Sequence, residues 1–391
     1  MSIERRRIVA TIMVCHFIAA FAALGMPPFF ALILDESLHS DAAWLAGWFY
    51  IVPIFFTAVS SPWWGRLADR YGKKPLLLRA QLGLAASFLL AGFAPNVAIF
   101  ALALALQGLL GGTFAASNAY LATVVSGAAL SRSLNLMQWS ARAALVAAPA
   151  ALGLLMTIES PLELYRYLAG LPLFAALLIA RLPAASGHQA PAKPAARARS
   201  GALEASARQV YAAQFAFVFA TVLTFPYFVP FTQAGDDPAS LAMAGLLFGI
   251  PHLVYLLCAV PLSRHLGPDR LLATLALSFL ILAAALAAQA LLPTLAGLAA
   301  ARIAMGFGMT LGFVSLHALI AAIVTRENAG RTFGWFESNA KWGAVGAGLI
   351  AGAAVQALDL RAPFYIGAFT LFAAGTTLAG LAFHRLNPRN S

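Results

Sequence analysis

Gly65-Arg66-Leu67-Ala68-Asp69-Arg70-Tyr71-Gly72-Lys73-Lys74-Pro75 is the stretch on which the fold turns. It is short and basic, holds a single acid, and separates two apolar runs near 43–64 and 75–94. About 20 apolar residues are enough for a helix to cross a bilayer. The two runs therefore predict membrane spans, and the stretch predicts the turn that joins them. Gly65 and Gly72 permit close helix approach and a tight turn. Asp69, alone among basic neighbours, calls for a fixed partner.

Working outward, further apolar runs lie near 8–34, 97–124, 133–157 and 162–181, which with the first two makes six. Six more follow near 208–233, 240–262, 270–291, 294–323, 332–356 and 362–384. Between the two sets, residues 183–207 read PAASGHQAPAKPAARARSGALEASA, a Pro-, Ala- and Ser-rich segment with the composition of a linker. The chain thus divides into a six-helix bundle over 1–181, a cytoplasmic linker over 182–207 and a second bundle over 208–391. Arg5-Arg6-Arg7 before an apolar run resembles a signal peptide, but the run is too long and contains Pro27-Pro28. It is read as a retained first span.

Composition agrees. Apolar residues make up 61% of the 391 and charged residues 10%, too few to coat a soluble domain. The net charge of +11 does not point to nucleic acid, because the cations fall in short segments between spans. With the N-terminus in the cytoplasm, twenty Lys and Arg lie on the cytoplasmic side and only Arg166 and Arg361 on the other. That bias predicts both termini inside and a multi-pass protein of the inner (cytoplasmic) membrane. Cys15 and Cys258 lie in apolar runs and have no metal-ligand spacing. No nucleophile–base pair, metal set or phosphate loop is present, so no enzyme, cofactor or metal is expected. The expected partners are the lipid bilayer, a small-molecule substrate and protons, with the protein as a monomer.

The halves repeat. Arg132 to Arg142 at the start of span five aligns with Arg331 to Lys341 at the start of span eleven, at an offset of about 199. Arg meets Arg, Gln138 meets Glu337, and Arg142 meets Lys341. Gln107-Gly108 faces Met305-Gly306. Two parallel six-span repeats predict an all-α membrane protein of twelve helices in two pseudo-symmetric bundles.

The stretch from Gly65 to Pro75 resembles the loop signature G-x-L-A-D-R-x-G-R-K of the major facilitator superfamily. The resemblance implies a gating role for Gly65, Asp69, Arg70 and Gly72. It further implies that the acid meets the N-terminus of span eleven and a nearby Arg, for which Arg132 is the candidate, when the inner side is closed. Ala148-Pro149-Ala150-Ala151-Leu152-Gly153 is similar to a worn G-P-x-x-G-G, the mark of drug/proton antiporters. Another family feature, R-x-x-q-G in span four, keeps Gln107-Gly108 but has Leu104 for the Arg, which reappears as Arg302 in span ten.

Four ionisable residues lie well inside spans: Arg142, Arg302, Glu337 and Lys341. Each costs roughly 2.5–3.5 kcal/mol at a helix centre on insertion scales, so a substrate or ion path is their default reading. Arg142, Arg302 and Lys341, with Gln138 and Asn339, are the candidate substrate-binding residues, and three cations suit an anion. The alternative for the arginines is bonding to backbone carbonyls. Glu337 is the only intramembrane acid and the candidate for proton coupling; a static pair with Lys341 is the alternative. His16, His252 and His317 are of the residue type whose ordinary pKa lies near neutrality, though a lone histidine more often fills a structural place. The expected function is proton-coupled export of a small organic anion, such as a siderophore. The alternatives are a broad multidrug efflux antiporter and an organic-anion importer.

Overall fold

The computed structural model describes residues 3–125, 127–156, 160–183, 206–234, 238–265, 270–323 and 329–386. No strand occurs among them. The helices are α1 (Ile3–Gly25), α2 (Phe30–Leu32), α3 (Leu45–Tyr71), α4 (Lys73–Gly92), α5 (Val97–Leu110), α6 (Thr113–Val124), α7 (Gly127–Leu155), α8 (Leu164–Leu168) and α9 (Gly170–Ala180). In the second half of the chain come α10 (Ala207–Leu223), α11 (Phe228–Gln233), α12 (Leu241–His265), α13 (Leu271–Leu291), α14 (Leu295–Ile323), α15 (Ala329–Ala357) and α16 (Ala362–Leu386). They follow the twelve expected spans closely. Spans one, four, six and seven are each made of more than one helical piece.

Among the described residues, seven helical segments are long and apolar enough to cross a bilayer, and two more apolar helices, Leu45–Ser61 and Leu164–Ala180, are shorter. The polar residues that lower the hydropathy of α7 and α15 are the ones singled out above: Gln138 and Arg142, Glu337, Asn339 and Lys341. Both helices are 29 residues long. At 1.5 Å per residue that is about 43 Å, more than the bilayer core requires.

The chain divides into two compact units, Met1–Ala195 and Ala196–Ser391. In the first, α1 packs on α7, α9 and α6, α3 on α5, and α4 on α5 and α9. In the second, α10 packs on α15, α16 and α14, α12 on α14, and α13 on α14 and α16. The two lists correspond helix for helix. Proline breaks correspond too. Span one is broken at Pro27–Phe29 and span seven between Leu223 and Phe228, around Pro28 and Pro226, which lie 198 positions apart.

Lipid gives apolar helices no reason to avoid it, so close contact depends on small residues and shape. A Cβ on Gly108 would fall 2.3 Å from the Pro53 carbonyl oxygen, and one on Gly306 would fall 3.0 Å from Pro251 Cα. These are the same crossing in the two units. A neighbouring crossing is solved in opposite ways. A Cβ on Gly83 would meet Leu110 Cβ at 2.6 Å, whereas a Cβ on Gly308 would meet Leu282 at 2.8 Å and Ile281 at 3.2 Å. The glycine stands on span three in one unit and on span four in the other.

Candidate functional site

Span four is broken where the sequence predicts one run. α5 ends at Leu110 and α6 begins at Thr113, with Gly112 between them in the left-handed region at φ +79°. A helix end leaves its last carbonyls without intrahelical donors. Here each one is met. Gly111 N–H donates to the Gln107 carbonyl at 2.9 Å. Thr57 Oγ1 donates to Gly108 at 3.0 Å, Trp64 Nε1 to Leu109 at 2.7 Å and Arg79 Nη1 to Leu110 at 2.6 Å. The Arg79 guanidinium also lies 3.5 Å from the Trp64 ring centroid and puts a cation at the negative end of α5. The break is thus held open by side chains from α3 and α4. It borders a small, partly open cleft lined by Thr57, Ser60, Ser61, Trp64, Lys73 and Arg79 together with Gly111 and Gly112. The corresponding stretch of α14 is continuous helix.

The motif residues sit at the C-terminal end of α3. Gly72 adopts φ +95° and alone joins α3 to α4, which is the expected tight turn. Gly65 differs from expectation. A Cβ there would meet nothing within 4 Å, so it faces the cleft and makes no close helix contact. Arg70 is exposed, with its guanidinium 5.3 Å from the Tyr71 ring centroid. The side chains of Asp69, Arg132 and Glu337 lie outside the described residues.

Of the candidate binding residues, Arg142 and Lys341 are half-buried near the middle of α7 and α15. Arg142 acts electrostatically on Tyr50 of α3. Among the described residues no partner of Lys341 is seen. Gln138 is exposed. Asn339 ties α15 to α10: its Nδ2 donates to the Tyr211 carbonyl at 2.8 Å and to Gln214 Oε1 at 3.1 Å.

Arg302 is 3% exposed and bonded to backbone. Its Nε donates to the Leu247 carbonyl at 3.1 Å and its Nη2 to the Phe248 carbonyl. Its guanidinium lies 4.2 Å from the Phe228 ring centroid. The reason lies four residues beyond Leu247. Pro251 has no N–H to return to that carbonyl, and Arg302 supplies the missing donor. Pro53 is the equivalent proline in the first unit, where Leu104 stands in place of the arginine. The backbone alternative left open for Arg302 is the arrangement observed here.

Sequence reasoning missed the carbonyl caps of the broken span. The signal available was the pair Gly111-Gly112 downstream of Gln107-Gly108, which an average of hydropathy passes over.

The family model described as Major Facilitator Superfamily matches residues 12–297 and 210–391. Multidrug resistance protein MdtG of Salmonella arizonae and of Salmonella paratyphi B is 39% identical over 123 residues, 31% of this chain and 30% of that protein. The match therefore spans about a third of those relatives' length. Among solved structures, the POT family transporter PepTSo aligns with a TM-score of 0.74 at 13% identity, over 98% of this chain and 99% of that one. The human organic anion transporter MFSD10 aligns with a TM-score of 0.67 at 17% identity, over 97% and 100%. At such identities the likeness concerns the fold.

Proposed function

The chain belongs to the major facilitator superfamily, and from that premise we propose that this multi-pass membrane transporter exports a small organic anion in exchange for protons. The observation that carries the reading is the pair Arg142 and Lys341. Each is a half-buried cation at the matching place in its unit, on the helix packed against that unit's first span. A charge held within a span carries a cost of desolvation, and a substrate or ion path is the default reading of such a group. Arginine suits bidentate binding of carboxylates and hydroxamates, and siderophores fall in that class. Gln138 lies one turn before Arg142 on α7 and adds a hydrogen-bonding group. Glu337 is the carboxyl proposed to exchange the proton. Asp69 and Arg132, with Gly65, Arg70 and Gly72, are proposed to control the inner side, both termini lying in the cytoplasm of an inner-membrane protein.

The test compares small metabolites inside and outside cells with and without the gene, in iron-poor and iron-rich medium. An anionic metabolite that accumulates inside the deletion strain supports the reading. Unchanged release of every hydroxamate and carboxylate siderophore excludes the siderophore assignment.

A second reading, broad multidrug efflux, is favoured by the partial identity to the proteins named multidrug resistance protein MdtG. Competition of cationic dyes for the transported metabolite would favour it over a dedicated anion exporter.

A further inference from the structure

We propose that His16 is a proton-binding residue whose access is governed by the inner half of span four, an inference that rests on the proton-coupled reading above. His16 lies in the middle of α1 and is 3% exposed. Neither Nδ1 nor Nε2 has a hydrogen-bond partner. The backbone of Met137 on α7 is close enough to act on the ring, but no hydrogen bond of ordinary geometry forms. A neutral imidazole has one N–H to give and one lone pair to fill, so this packing leaves both unmet. An unmet buried polar group destabilises, and an apolar side chain would occupy the place without that penalty. Histidine adds a ring that changes charge near neutral pH.

What covers the ring is the second observation. Phe114 lies against it, with centroids 5.1 Å apart and planes at 51°. Phe114 is the second residue of α6, two positions past the left-handed Gly112. The cover is therefore carried on a half-helix that begins at a built joint. Further along the same half-helix, Ser117 Oγ and Asn118 Oδ1 are also buried without partners. This end of α6 is packed with less polar satisfaction than a fixed core requires.

Among the described residues, the elements packed most closely on α1 carry no carboxylate. Of the elements packed on α1, α7 carries Arg132 and Arg142, α6 carries Tyr120, and α9 and the Pro27–Phe29 turn carry no titratable group. Tyr120 donates its hydroxyl to the Pro183 carbonyl at 2.9 Å. The neighbour on α1 itself is Cys15, whose thiol points to the Ala175 carbonyl at 3.6 Å. An imidazolium sealed under Phe114 would be a buried cation with no carboxylate to pair with. Protonation and the closed packing of α6 on α1 therefore exclude each other. The step is simple: a ring nitrogen takes one proton from water, a new N–H bond forms, and the ring becomes a cation. Release of that proton restores the neutral ring and lets α6 close.

The experiment is hydrogen–deuterium exchange of the full-length protein in lipid nanodiscs, at about pH 8 and about pH 5.5. Rates are corrected for the intrinsic pH dependence of amide exchange. We expect the corrected exchange of residues 113–124 to rise about tenfold at the lower pH in the wild type. In His16→Gln and His16→Met the rise is absent, while both variants unfold at or above the wild-type temperature. A pH-independent wild type overturns the inference, and so does a rise that survives in both variants. Neither result bears on the export reading, which the metabolite comparison decides separately.

Discussion

Arg302 shows how a charge inside a membrane can serve the backbone. Pro251 leaves the Leu247 carbonyl without its helical donor, and the guanidinium supplies one while stacking on Phe228. Arg302→Leu copies the residue of the other unit, Leu104, but orphans that carbonyl. It should lower stability by roughly 1–3 kcal/mol, read as an earlier thermal transition of the purified protein in detergent. Arg142→Ala and Lys341→Ala should behave in the opposite way. Each is expected to cut metabolite release several-fold in the cell assay while leaving the thermal transition near the wild-type value. All three cations were legible as residues out of place in apolar runs. Their different surroundings were not legible, because the Leu247 carbonyl that Arg302 meets lies on another span, 55 positions earlier in the chain. Asn339 makes the same point. Its polarity was plain in the sequence, but its link to Tyr211 and Gln214 belongs to the packing of α15 on α10.

At the level of elements, the broken fourth span is the feature that hydropathy conceals. Glycine is nearly neutral on a hydropathy scale, so Gly111-Gly112 leaves the apolar run from 97 to 124 intact. Prolines announce the breaks in spans one and seven more openly. The joint depends on conformation as well as on caps. Gly112→Ala places a Cβ in the left-handed region and should cost about 1 kcal/mol. Gly108→Ala should cost more, roughly 1–3 kcal/mol, because its Cβ would stand 2.3 Å from the Pro53 carbonyl oxygen and 2.8 Å from Pro53 Cα, backbone atoms that cannot swing aside. Thermal unfolding of the two variants side by side checks the order.

For the whole molecule, twelve spans were readable because bilayer thickness fixes the length of every apolar run. Helix order within each unit followed from the repeat. The orientation proposed from the Lys and Arg bias has a direct check. In a chain with Cys15 and Cys258 replaced by serine, a membrane-impermeant maleimide should label Leu358→Cys in intact cells. Tyr71→Cys should be labelled only after the membrane is opened. Both positions are exposed, at 74% and 59%, so access to the reagent decides the result.

The crossing of spans three and four shows what the two halves have in common. One unit builds it from Gly83 against Leu110, and the other from Ile281 against Gly308. What the halves share is the combined width of a pair of side chains, with either helix free to hold the larger one. Spare parts are therefore interchangeable only in pairs. Grafting span three of one half into the other would set Ile against Leu, or Gly against Gly, whereas exchanging spans three and four together carries the fit along with them.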